Sequence, residues 1–159
     1  MPIDGESGPR ITEVPVEGID PETWRRRIVV GVDGSHGSRR ALLWAAHEAK
    51  ERALCLDVVS VWEDPSAEPA AALRDDPLRV AGERLKQALD ALIRAGDVPD
   101  HVITAPVHGP PGSRLVERAR DARLLVLGTT SISAPEHPGG IGAYCLRHST
   151  TPIVFVPTA

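Results

Sequence analysis

Two apolar runs end in the same way, and they restrict the fold more than any other feature of the chain. Arg27-Ile28-Val29-Val30-Gly31-Val32-Asp33-Gly34-Ser35 lies near the start, and Leu124-Leu125-Val126-Leu127-Gly128 lies near the end with Gly139-Gly140 behind it. Each is a strand-length apolar stretch stopped by glycine and small polar residues, which is how a buried parallel strand passes the chain through a loop into a helix. Two such transitions put two loops on one edge of a sheet. In open α/β sheets small ligands bind at that edge, outside the carboxyl ends of the strands.

The intervening segments repeat the pattern. Strands are expected over residues 27–33, 55–62, 101–107, 124–127 and 152–156, and helices over 37–52, 77–95, 112–121 and 139–148. This alternation predicts an α/β doubly wound parallel sheet with right-handed crossovers. Helical stripes supply its core: Ala41, Leu42, Ala45, Ala46 and Ala49 in the first helix, Leu85, Leu89, Leu92 and Ile93 in the second, Leu115, Val116 and Ala119 in the third. Residues 63–76 carry no such pattern and read as a long surface loop.

A length of 159 residues suits one domain. The fold is expected to span residues 24–157. Residues 1–22, rich in Pro, Gly and acids, are expected to form a mobile arm. The competing reading is a short strap, which the alternation in Ile11-Thr12-Glu13-Val14-Pro15-Val16 allows.

Composition removes several function classes. The net charge of −4 is spread over mixed acids and bases, which argues against binding a polyanion such as nucleic acid. The basic cluster Arg25-Arg26-Arg27 reads as a charged flank on an apolar strand. No apolar run approaches the roughly 20 residues of a membrane span, and the acidic N-terminus does not resemble a secretion signal, so a soluble cytoplasmic protein is expected. Cys55 and Cys145 sit inside apolar patterns, as buried reduced thiols do. The histidines show no paired spacing, so no metal site is expected. No GxxxxGK[ST] or GxSxG motif occurs, the Gly31, Gly34, Gly37 spacing is not GxGxxG, and no catalytic residue is assigned.

Two loops remain as candidates. Asp33 at a strand end offers a carboxylate to a ligand's ribose or amine, or to a metal; equally, it suits an Asx turn into the next helix with Ser35 as its N-cap. The stretch from Gly128 to Gly142 closes a strand with glycine, continues with small hydroxyl residues and opens a helix with Gly139-Gly140. Backbone N–H groups at such a helix start suit a phosphate, and a tight turn explains the same composition.

At these residues the chain resembles the universal stress protein family. IVVGVDGSHGSRRAL resembles that family's opening strand and helix, VHGPPGSRLVERARDARLLVLGTT its third strand, helix and fourth strand, and CLRHSTTPIVFVP its closing helix and strand. The resemblance covers about residues 25–157. It implies a five-stranded sheet of order 3-2-1-4-5 and a homodimer joined through the strand from Pro152 to residue 156. In one subgroup it implies binding of ATP or another adenine nucleotide, with or without Mg, and at most slow ATP hydrolysis.

That subgroup's pattern is Gly-x2-Gly-x9-Gly-[Ser/Thr]. Gly128 matches its first glycine and Gly139 its last, Gly140 replaces the hydroxyl residue, Ser131 replaces the second glycine, and the loop is two residues shorter. Serine in a left-handed conformation costs on the order of 1 kcal/mol that glycine does not, and the loop carries Glu136 without Lys or Arg. The resemblance thus implies a nucleotide site built from Asp33, Gly34, Ser35, Val61, Leu127, Gly128, Ser131, Gly139, Gly140 and Ile141. Asp33 and Val61 hold adenosine, and backbone N–H groups of Gly139, Gly140 and Ile141 take phosphate. Its phosphate half is weakened. The alternative of another class is a dimeric protein-interaction module that binds no ATP.

Overall fold

The computed structural model describes residues 8–13, 19–65, 75–129 and 140–158. The elements are β1 Arg10–Glu13, α1 Pro21–Arg25, β2 Arg27–Gly31, α2 His36–Arg52, β3 Cys55–Trp62, α3 Pro77–Ala95, β4 His101–His108, α4 Pro111–Arg118, β5 Leu124–Gly128, α5 Ile141–His148 and β6 Ile153–Val156. They build one parallel sheet of order β1-β4-β3-β2-β5-β6. Five of these strands keep the expected order 3-2-1-4-5.

The sixth strand corrects the five-stranded expectation and part of the expected arm. β1 runs parallel to β4 with Ile11 opposite Val102, and the Arg10 N–H donates to the Asp100 carbonyl at 2.7 Å. It covers the otherwise open hydrogen-bonding side of β4 over residues 101–104, which gives backbone groups partners that an edge leaves unpaired. Beyond that cover β4 tolerates Pro106, whose missing N–H costs a free edge nothing. Inside the same 1–22 stretch, α1 starts at Pro21 with Asp20 as N-cap, its carboxylate accepting from the Thr23 N–H at 2.9 Å. Val14 and Val16 of the alternative strap lie outside the described residues.

Alternation of side chains along the strands divides the core into two layers. Ile28, Val30, Leu56, Val58, Val102 and Val126 face α2 and α3, whereas Val29, Val59, Leu125 and Leu127 face α4 and α5. The alanine stripe of α2 is completely buried, and its small side chains bring the helix axis close to the sheet. Ala53 ends α2 in a left-handed conformation, and Gly96 does the same for α3. Helices start and stop within three residues of expectation where they are described; α3 begins behind an Asp76 cap that accepts from the Leu78 N–H at 3.1 Å. The loop residues 66–74 lie outside the described residues.

Arg27 corrects the reading of the basic cluster as a surface flank. Its side chain is wholly buried against Asp57, also wholly buried, with Nε 3.3 Å from the carboxylate. Arg118 closes on the same carboxylate with two bonds, from Nε at 2.8 Å and from the terminal nitrogen at 3.0 Å. The Arg27 guanidinium also donates to the carbonyls of Trp24 and Arg118 and lies 3.4 Å from the centre of the Trp24 ring. Burial pushes the Arg27 guanidinium down while Asp57 holds it up. The network pins α1, β2, β3 and α4 together at the amino ends of the strands, opposite the ligand edge.

Candidate functional site

At the carboxyl edge β2 ends at Gly31, two residues earlier than expected. Val32 still donates to the Val59 carbonyl at 2.8 Å, and the chain then turns. Gly34 has φ of +83°, which requires glycine, and Ser35 caps α2 by accepting from the Ser38 N–H at 3.2 Å. The Asp33 carboxylate accepts from the Ser35 N–H at 2.9 Å, and its own N–H donates to the Ser38 hydroxyl at 3.2 Å. The Asx turn is thus formed, and it uses one carboxylate oxygen.

Partial burial tends to raise the Asp33 carboxyl, but bonds from Ser35 and Ser38, together with the charge of Arg84, outweigh that and hold it below the ordinary value. It stays ionised at neutral pH. A folded value below the unfolded one means that its contribution to stability is present above the ordinary carboxylate range and is lost as pH falls through the depressed value.

Beside this turn lies a cavity of about 180 Å³ lined by Asp33, Ser35, Val61, Leu127, Gly128 and Ile141, among others. The sequence reading named all six. Gly34 lines a second, adjoining cavity of about 400 Å³ between α2 and α3. Gly140 stands at the N-cap of α5 with no side-chain cap bond, directly before Ile141. Ser131 and Gly139 lie outside the described residues. Sequence reading missed Arg84 and Pro111 at the rim and counted Leu115 as core only. Leu115 carried a helical-stripe signal, but nothing in the sequence separates Arg84 from an ordinary exposed arginine of an amphipathic helix.

Gly128, on the cavity wall, is also held by packing. A Cβ there would lie 2.8 Å from the backbone carbon and oxygen of Gly37, so the glycine admits the first turn of α2. Gly128→Ala is expected to destabilise the protein by about 1–3 kcal/mol. The check is a lower urea midpoint at an unchanged denaturant slope.

Cys55 and Cys145 are buried, and burial pushes their thiols up to about 12 and about 11, so both stay protonated and unreactive at neutral pH. Among the described residues no cluster of three or more His, Cys, Asp or Glu is placed to hold a metal, and no helix is long and apolar enough to cross a membrane.

A model of the universal stress protein family matches residues 25–157. The chain belongs to this family. Universal stress protein Rv2624c of Mycobacterium tuberculosis is 37% identical over 111 residues, covering 70% of this chain and 40% of that protein. Universal stress protein Rv2623 of the same organism is 28% identical over 142 residues, covering 81% of this chain and 46% of that protein. The chain therefore spans less than half the length of the curated relatives it matches. A universal stress protein solved in complex with cAMP superposes with a TM-score of 0.68 at 31% identity, over 84% of this chain and 98% of that one. The Asp33 turn and the Val61 strand end thus belong to a universal stress protein fold, and Gly128 and Ile141 line the cavity with them.

Proposed function

We propose that this chain binds an adenine nucleotide at the carboxyl edge of its sheet. The carrying observation is the convergence of Asp33 after β2, Val61 of β3, Leu127 and Gly128 of β5 and Ile141 of α5 on one cavity. Its volume of about 180 Å³ is smaller than the roughly 300–1,000 Å³ of pockets that bury a drug-sized ligand. A nucleobase fits that space, with ribose and phosphate outside it. The base packs on Val61 and Leu127, the Asp33 carboxylate accepts from ribose hydroxyls, and N–H groups at Gly139, Gly140 and Ile141 meet phosphate. The related protein solved with cAMP supports this ligand class.

ATP is a poorer ligand in this reading than a nucleotide with one phosphate. Ser131, the shortened loop and Glu136 each disfavour a triphosphate, with or without Mg. Asp33 is the one carboxylate on the described cavity wall and is already tied into its turn, so binding rather than hydrolysis is the function. Cytoplasmic stress response follows from the family reading. The test is mass spectrometry of small molecules released by denaturing freshly purified protein, followed by calorimetric titration with AMP, cAMP, ADP and ATP. Monophosphates binding more tightly than ATP is the expected order. Sub-micromolar ATP binding would contradict the weakened loop, and no heat with any nucleotide would overturn the reading.

A protein-interaction role is favoured by a separate observation. Among the described residues β6 pairs only with β5, leaving Ile153, Val154 and Phe155 half-buried on an edge flanked by Pro152 and Pro157. Such an edge calls for a cover, and a second copy pairing along β6 provides it. Sedimentation at micromolar concentration is expected to show a dimer; a monomer removes this assembly.

A further inference from the structure

The small cavity has one cationic side chain on its described wall, Arg84, and it comes from α3 rather than from either edge loop. Arg84 also lines the larger cavity between α2 and α3, so it stands where the two spaces meet. The turn at Gly34 makes that position possible: a Cβ on Gly34 would come within 3.5 Å of the Arg84 Nε, so the guanidinium lies along a face of the turn that has no side chain.

Arg84 acts on Asp33 through its charge, yet among the described residues it makes no hydrogen bond or ion pair. A half-buried guanidinium with five N–H donors and, among the described residues, no hydrogen-bond partner is matched to a planar or tetrahedral oxyanion. The surrounding field agrees. Arg39 and Arg94 line the larger cavity with Arg84, opposed there by Asp90 alone among acids, so the side of the turn toward α3 is net positive while the small cavity holds the negative Asp33.

We infer that Arg84 is a further ligand of the bound nucleotide's phosphate, reaching it from α3 across the Gly34 turn while the start of α5 meets it from the other side of the small cavity. This rests on the nucleotide reading above and adds to it a phosphate ligand outside both edge loops. The guanidinium offers charge-assisted, bidentate bonds to phosphate oxygens, which compensates for the absence of Lys and Arg from the 128–142 loop. It also explains how a small ligand with a single phosphate is held by a chain whose phosphate loop departs from the family's pattern.

The experiment compares adenosine with AMP by calorimetric titration into the full chain and into Arg84→Gln, Arg84→Lys and Arg79→Gln. The last removes the same charge from the same helix, where Arg79 pairs with Asp75 and Glu83 away from both cavities. Arg84→Gln is expected to lose roughly tenfold or more in AMP affinity and less than about threefold in adenosine affinity. Arg84→Lys keeps part of the AMP preference, and Arg79→Gln keeps all of it. Arg84→Gln weakening both ligands alike, or neither, overturns the role of Arg84 while leaving the nucleotide reading in place. An unaltered chain that binds neither ligand overturns both.

Discussion

Asp57→Ala is expected to be the most damaging single substitution in the chain, costing about 3–5 kcal/mol, the range for removing one partner of a buried ion pair. Asp57 is completely buried and takes three charge-assisted bonds from Arg27 and Arg118. Its loss strands two guanidiniums inside the protein. For a domain of this size the fall in midpoint is on the order of 10 °C or more, measured by calorimetry or circular dichroism. Asp57→Asn keeps the shape and one acceptor oxygen, so its loss falls between wild type and Ala. Equal stability of all three proteins would mean that the network contributes no more than an apolar filler.

Asp33→Ala carries the second large effect, on ligand affinity. Adenosine, AMP, ADP and ATP share the ribose that the Asp33 carboxylate is proposed to bind, and a bond to a charged group contributes roughly 1.5–3 kcal/mol. All four are therefore expected to weaken together by roughly tenfold or more. The substitution also removes the Asx bond to Ser35 at 2.9 Å, so stability has to be measured beside affinity. Asp33→Asn separates the two roles, because its amide oxygen keeps the turn while the charge is lost. If the loss is confined to the phosphorylated ligands, Asp33 does not act on the ribose.

The elements that were legible in the sequence are those whose pattern is local. Ile28-Val29-Val30 and Leu125-Val126-Leu127 read as buried strands because both faces of those strands are covered. The α2 alanines read as a close-packed stripe because period 3.6 needs no partner to be visible. The edge turn was legible too, since Asp33-Gly34-Ser35 concentrates a turn former, a left-handed glycine and a cap within three residues.

What escaped the sequence depends on residues far apart in the chain. β1 is four residues long and exposes Ile11, so its ordering comes from the open side of β4 about ninety positions later and not from its own hydrophobicity. Arg27 looks like a surface charge until Asp57 and Arg118 are brought around it, 30 and 91 residues away. Arg84 reaches the site only because the crossover sets α3 beside the Gly34 turn. Gly128 was matched to a motif position, but its close approach to the backbone of Gly37 on another element was not legible.

The central claim is that an adenine nucleotide occupies the edge cavity between Asp33 and Val61, and amide hydrogen exchange of the full chain with and without saturating AMP tests it most directly. The account predicts slowed exchange at the 33–38 turn and at the start of α5, residues 140–143, while β1 and β6 stay unchanged. AMP that binds calorimetrically without slowing either loop, or that protects a different face of the sheet, would contradict it.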